Sequence, residues 1–334
     1  CKNITKIILN DGISSIGEYA FQNSVIKDFT IPDTVTAIGE KTFSGCVGLT
    51  EMILPNGITE IPKYAFYGCN NISKLVLSRN TITIGDYAFK DCSRFTKLVI
   101  PDKCESIGIG AFENCSSINA IDIPDSVTSI AEYAFSGCTG AKDLSIGNKI
   151  EQINKYVFQN CTGLTSIIVP KTVKSIEEFA FSGCDNVTNV TLPFVGKNRT
   201  ATDVEGTFGY IFGYWKELIT KTVNSGTATL YSSETSTSEF TQDYTIGQDE
   251  KYNKTEYVNG IGSYYSGAWK NPWYTCCDGN HKGHYGQIQK YEFKVPEKLT
   301  TVTITDANKI ETAAFNNCKN ITKIILNDGI SSIG

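Results

Sequence analysis

The segment whose residue types most invite chemistry is Cys276-Cys277-Asp-Gly-Asn-His281-Lys-Gly-His284, which holds both histidines of the 334-residue chain. Two thiolates and two imidazoles have the ligand count of a tetrahedral structural Zn²⁺ site, and such a site helps a small domain that is short of core. Two other readings stand beside it. The spacing C-C-x₃-H-x₂-H is not a familiar finger and adjacent cysteines tend to point apart, so a disulfide through Cys276 or Cys277, or an ordinary polar loop, stays open. Catalysis has less support. A Ser or Cys nucleophile usually needs a base, and both histidines are confined to this loop. A dyad of Asp278 with His281 or His284 beside Cys276 is no more specific than any His-rich loop allows. No phosphate-cradling Gly loop, HExxH motif or Rossmann fingerprint occurs, and the chain reads as non-enzymatic, with no catalytic residue.

Just upstream lies Tyr264-Tyr265-Ser-Gly-Ala-Trp269-Lys-Asn-Pro272-Trp273-Tyr274. Gly267, Asn271 and Pro272 interrupt any regular element, so these rings are hard to bury together. Exposed Tyr and Trp stack on sugars or anchor proteins, which makes Tyr264, Tyr265, Trp269, Trp273 and Tyr274 a candidate binding loop. The competing reading is core. Both clusters sit between residues 194 and 298, a stretch that holds all three Trp and 19 of the 37 aromatics. A unit of that size needs its own core, which the run Phe208-Gly-Tyr210-Ile-Phe212-Gly-Tyr214-Trp215 is expected to fill. A Ser- and Thr-rich stretch follows from 224 to 241, and Tyr291-Glu-Phe293-Lys-Val295-Pro296 alternates as a strand. Residues 194–298 therefore read as an inserted, aromatic-rich and β-rich island.

What carries this island is a repeat. Phe43, Phe66, Phe89, Phe112, Phe135, Phe158 and Phe181 fall every 23 residues, each followed three positions later by a cysteine. A period of this length is the signature of a solenoid. Within one unit, Ile118-Asn-Ala-Ile121-Asp-Ile123-Pro124 alternates with period two. Ile121 and Ile123 point inward, Asp122 points out, and Pro124 ends the strand for want of an N–H. A second apolar pair, Val127 and Ile130, follows. The segment from Glu132 to Cys138 is too short for a full helix and is expected to form one turn of α or 3₁₀ helix, with Phe135 and Cys138 facing inward. A cysteine at the same interior position of every coil is a small buried plug. In-register side chains point parallel to one another, so bridging successive repeats would distort the stack.

These units resemble the BspA-like leucine-rich repeats of bacterial and protist surface proteins, whose pattern is roughly LxxIxIPxxVxxIGxxAFxxCxx. The resemblance covers residues 1–193 and resumes over 299–334. Ser24 stands in place of Cys, Thr81 and Cys104 in place of Val or Ile, and Gly147 in place of Pro. The resemblance implies a leucine-rich repeat solenoid: a right-handed coil with a parallel sheet on one face and short 3₁₀ or α turns on the other. It also implies an extracellular or cell-surface location and a role in adhesion to host proteins, other cells or polymers.

Residues 318–334 repeat residues 1–17 without a difference, at an offset of 317. The expectation is that the sequence is one period of a longer tandem array, with export signals and anchors outside it. Further copies then continue the coil head to tail as a fibre or stalk. The net charge of −5 includes no basic stripe, which argues against a nucleic-acid partner. No apolar run approaches the ~18 residues of a membrane helix. Nine Asn-x-Ser/Thr sequons occur, and their glycosylation depends on the source. Outward strand positions place Ile53, Val76 and Val99 in one apolar stripe on the sheet face, a second candidate binding surface for a host protein or glycan. The column beside it, Lys6, Asp28, Glu51, Lys74, Lys97, Ala120, Asp143 and Ser166, mixes signs and suits a protein partner better than a polyanion.

Overall fold

The computed structural model describes residues 5–224, 227–232, 240–242, 264–265, 284–311, 314–315 and 318–334. The inward Ile, Leu and Val of each unit favour extended backbone and need a partner surface. Successive units supply it by stacking as parallel strands. Glu51–Ile53 pairs with Lys74–Val76 in the register Ile53 to Val76, and Ala120–Asp122 pairs with Asp143–Ser145. Ser166–Ile168, Asn189–Leu192, Thr301–Ile304 and Lys323–Ile325 form a four-stranded run. The second apolar pair of each unit builds a ladder of its own. Glu60–Ile61, Thr83–Ile84, Ser106–Ile107 and Ser129–Ile130 are its longest stretch. Most coils thus carry two short strands; the coil of Lys97 and Val99 has only the second, Ser106–Ile107, and the first ladder is interrupted there.

The repeat phenylalanines are fully buried and form one column along the axis. Phe43 and Phe66 stack at 5.2 Å, Phe66 and Phe89 at 5.2 Å, and Phe112 and Phe135 at 5.4 Å, with near-parallel rings. Because each ring meets only its neighbours above and below, the core grows linearly with the number of coils.

The Tyr-Ala-Phe-x-Gly-Cys segment closes each coil with an alternation of hydrogen bonds. Tyr64, Phe66 and Gly68 donate their N–H groups to Asp86, Ala88 and Lys90 of the next coil, while Ala65, Tyr67 and Cys69 donate to residues three back in their own coil. The 3₁₀-type bonds are therefore present without a continuous helical turn. Two four-residue 3₁₀ helices, Asp203–Gly206 and Phe208–Ile211, are the helical elements among the described residues. The alternation needs two left-handed residues per coil, such as Tyr64 at φ 57° and Gly68 at φ 70°, or Tyr133 at φ 61° and Gly137 at φ 74°. The second position is always Gly, Asn or Asp, the residues that adopt this conformation most readily.

After Asn189–Leu192 the chain stays in the stack. Phe194, Phe208 and Phe212 are fully buried, and Phe208 packs on Phe315 at 5.4 Å. Phe181 donates its N–H to the carbonyl of Ile211, and Phe208 donates to that of Ala314, so the Phe208–Phe212 phrase serves as the closing turn of a coil. The inserted sheet starts after it, with strands in the order Phe240–Gln242, Thr227–Ser232, Tyr214–Asn224, His284–Phe293, Tyr264–Tyr265, all antiparallel. The chain leaves and returns at one point, since the N–H of Lys294 donates to the carbonyl of Gly213 at 2.8 Å. Coil phase survives the excursion. Asn189 pairs with Thr301 and Thr191 with Thr303. Arg199 ties the root together by an ion pair to Asp306 and a hydrogen bond to the carbonyl of Lys171 at 3.2 Å.

Candidate functional site

Strand alternation turns Ile53 and Val76 outward, and Val99, between buried Leu98 and Ile100, continues the same row outside any strand; the three are 50%, 42% and 60% exposed. Ile8 and Ile168 lie further along the same column, also exposed, while Asp122 and Ser145 interrupt it. Beside the stripe, Lys74 is ion-paired to Glu51 one coil back. Lys97 and Asp143 are exposed and have no ion-pair partner among the described residues. Apolar side chains here are framed by charges of both signs.

A second surface lies at the closing turns. Tyr64 stacks on Tyr87 at 5.1 Å, Tyr133 on Tyr156 at 4.7 Å, and Tyr156 on Phe179 at 5.3 Å. Where the column lacks a ring at Lys41, the ammonium lies 5.3 Å from the Tyr19 ring centre and 5.2 Å from that of Tyr64. Cation–π attraction thus replaces the missing ring. At Gly110 the ring of Tyr87 fills the place of a side chain, its Cδ1 and Cε1 both 2.7 Å from where a Cβ would stand. The stacked rings join coil to coil. Tyr19, Tyr64, Tyr87, Tyr133 and Tyr156 stand two residues before Phe21, Phe66, Phe89, Phe135 and Phe158, a period that the sequence already displays.

Next to this column runs an open polar groove of about 530 Å³ bordered by Asn70, Asp91, Ser93, Asn114, Ser116 and Asn160. Asn114 donates to Asp91 at 2.8 Å, and its Oδ1 lies 2.4 Å from where a Cβ on Gly137 would stand. A side chain at Gly137 would displace the Asn114 amide from this position. Three sequon asparagines are similarly engaged: Asn71, Asn186 and Asn320 donate their Nδ2 to carbonyls of the preceding coil at 2.7, 2.7 and 2.8 Å. A glycan on any of these would first have to break that bond.

The repeat cysteines, Cys46 to Cys184, are buried free thiols. Burial pushes the thiols of Cys138 and Cys104 up to about 12 and about 11, and those of Cys69, Cys115, Cys161 and Cys184 well above the usual thiol range. Such thiols are poor nucleophiles and poor metal ligands at neutral pH. Among the described residues no group of three or more His, Cys, Asp or Glu is placed to hold a metal ion.

Of the island residues singled out by sequence, Tyr264 and Tyr265 form a two-residue strand opposite Tyr291 and Lys290, and His284 opens the strand that pairs with Tyr214–Asn224. Trp269, Trp273, Tyr274, Cys276, Cys277 and His281 lie outside the described residues. No helix among the described residues is long and apolar enough to cross a membrane.

The family described as the BspA type leucine-rich repeat region (6 copies) matches this sequence over residues 1–118, 82–199 and 284–334. No curated protein matches it. Among solved structures, a leucine-rich repeat protein from Bacteroides ovatus is similar at a TM-score of 0.50 and 18% identity, over 96% of this chain and 66% of that one. A leucine-rich cell surface protein from Faecalibacterium prausnitzii is 23% identical with a TM-score of 0.33, over 54% of this chain and 63% of that one. The pneumococcal vaccine antigen PcpA is 18% identical with a TM-score of 0.34, over 54% and 60%. The chain spans about two thirds or less of the length of each.

Proposed function

The chain belongs to the BspA-type leucine-rich repeat family, and from that premise we propose that it is a non-enzymatic, extracellular structural repeat protein, one period of a tandem array that stacks head to tail into a fibre or stalk. The observation that carries this reading is the double use of one sequence. Of residues 1–17, the described residues 5–17 lie beneath the next coil, with Lys6 paired to Asp28 and Ile16 to Ile38. The identical residues 318–334 lie on top of a coil, with Lys323 paired to Thr301 and Ile333 to Ile310. One seventeen-residue coil thus accepts a neighbour on either side, as a junction between copies requires. With about ten coils per period at ~4.8 Å each, electron microscopy of the native material should show an axial repeat of about 50 Å. Compact single particles would reject the fibre.

The exposure of Ile53, Val76 and Val99 favours a second reading, a cell-surface adhesin that binds a host protein or glycan through the sheet face or through the island loop at Tyr264, Tyr265, Trp269, Trp273 and Tyr274. Immobilised host proteins and glycans test it directly. Capture that survives Ile53→Asp with Val76→Asp and is lost on removal of the island would assign binding to the loop. Capture by neither surface would dismiss this reading.

A further inference from the structure

We propose that the outer face of the first ladder is a self-complementary surface on which a second copy of this chain docks face to face and antiparallel, adding lateral pairing to the tandem-array reading. The argument is charge order. Read along the rod, the column beside the apolar stripe runs Lys6, Asp28, Glu51, Lys74, Lys97, Ala120, Asp143, one residue per coil by the repeat period, with Lys6 paired to Asp28, Glu51 to Lys74 and Ala120 to Asp143. A two-fold axis lying along the strand direction at the Val76 row reverses the order of coils in the partner. It sets Glu51 opposite Lys97 and Lys6 opposite Asp143, each pair twice. In the neighbouring column the same operation puts Val76 against Val76 and Ile53 against Val99, the three exposed apolar residues at the centre.

A parallel arrangement with its two-fold axis over this column would set like against like, Glu51 on Glu51 and Lys97 on Lys97, which costs energy at every charged row. The antiparallel one leaves a single like pair, Lys74 on Lys74, and Lys74 is already neutralised by Glu51 of its own chain. Lys6, Lys97 and Asp143, which have no ion-pair partner among the described residues, all gain one. Seven rows at ~4.8 Å give a strip ~30 Å long with an apolar centre and a charged margin, the plan of a specific interface. Repetition along a rod would multiply a modest contact by avidity.

The test uses the whole 334-residue chain and two kinds of variant. Val76→Cys sits on the axis and should form a covalent dimer on mild oxidation, whereas wild type and Ile8→Cys should not. In sedimentation equilibrium Glu51→Lys alone, or Lys97→Glu alone, should weaken association by ~10-fold or more, and the double exchange should restore it. All these positions are exposed, and unchanged circular dichroism checks the fold. End-to-end stacking keeps the Val76 residues of two copies a period apart and gives no such link, so a fibre without the Val76→Cys dimer rejects lateral pairing alone. Cross-linking at Ile8→Cys in place of Val76→Cys, or a double exchange that fails to restore association, overturns the proposal.

Discussion

The thiol of Cys69 donates a hydrogen bond to the carbonyl oxygen of Phe43, one coil back, at 3.0 Å, and the same oxygen accepts the N–H of Cys46 at 3.0 Å. The relationship recurs at Cys92 with Phe66, Cys115 with Phe89, Cys138 with Phe112, Cys161 with Phe135 and Cys184 with Phe158, between 3.1 and 3.3 Å. Each thiol therefore fills volume and also links its coil to the one before. Cys115→Ala should cost about 1–3 kcal/mol through the vacated volume and the lost bond. Urea denaturation checks it, and an unchanged midpoint would leave the thiol no role beyond occupancy.

The same burial predicts a pH response. A thiol whose folded pKa lies above its unfolded value stabilises the fold fully below the unfolded value, about 8.5, and that stability is lost as pH rises towards the folded value, about 12 for Cys138. The solenoid should hold constant stability up to about pH 8.5 and then lose ~1.4 kcal/mol per pH unit for each such thiol. Chemical denaturation between pH 7 and 11 should show this fall, less steep in Cys138→Ala. Equal slopes would remove the thiols from the account.

Alkylation at neutral pH should leave Cys69, Cys92, Cys115, Cys138 and Cys161 unmodified in the folded protein. Cys276 and Cys277 should react first unless Zn²⁺ or a disulfide occupies them. Peptide mapping reads the order, and metal analysis of protein purified without chelator decides the Zn²⁺ option.

Phe112 is fully buried between Phe89 and Phe135, at 5.4 Å from each. Phe112→Ala should cost ~3–5 kcal/mol. Because coils contact only their neighbours, amide exchange should quicken near residues 85–140 and stay slow elsewhere. Uniform acceleration along the rod would show that the coils unfold as one unit.

Deleting 214–293 and joining Gly213 to Lys294 should leave the solenoid folded, since the two residues already share a hydrogen bond and the ladder from Asn189 to Thr301 does not use the inserted sheet. Circular dichroism and a cooperative melt would confirm it. Loss of the transition would show that the sheet braces the coil.

The Phe column and the strand from Ile121 to Ile123 were legible in the sequence because burial every 23 residues and alternation every two survive in single residues. The second ladder was not. Its strands, such as Ser129–Ile130, are two residues long, too short for alternation to register. Nor does the sequence announce a left-handed Tyr64, since aromatic residues rarely adopt positive φ; in the stack its N–H donates to the carbonyl of Asp86 in the next coil. The Phe208–Phe212 phrase reads locally as an aromatic cluster. Its place beneath Phe315 is a contact across more than a hundred residues that no local pattern encodes. For the candidate surfaces, the stripe at Ile53, Val76 and Val99 followed from strand parity, whereas the polar groove at Asp91 and Asn114 depends on turn geometry that composition leaves open.

The return of the chain to Lys294 beside its exit at Gly213 has an evolutionary consequence. A segment that begins and ends at one point of the rod and leaves coil phase intact can be lengthened, shortened or exchanged without any compensating change in the repeats. The repeats must conserve their Phe, Cys and Ile at fixed intervals, while the inserted sheet answers only to what it meets outside. Divergence should therefore concentrate in 214–293, with lineages sharing one rod and differing in the head it displays.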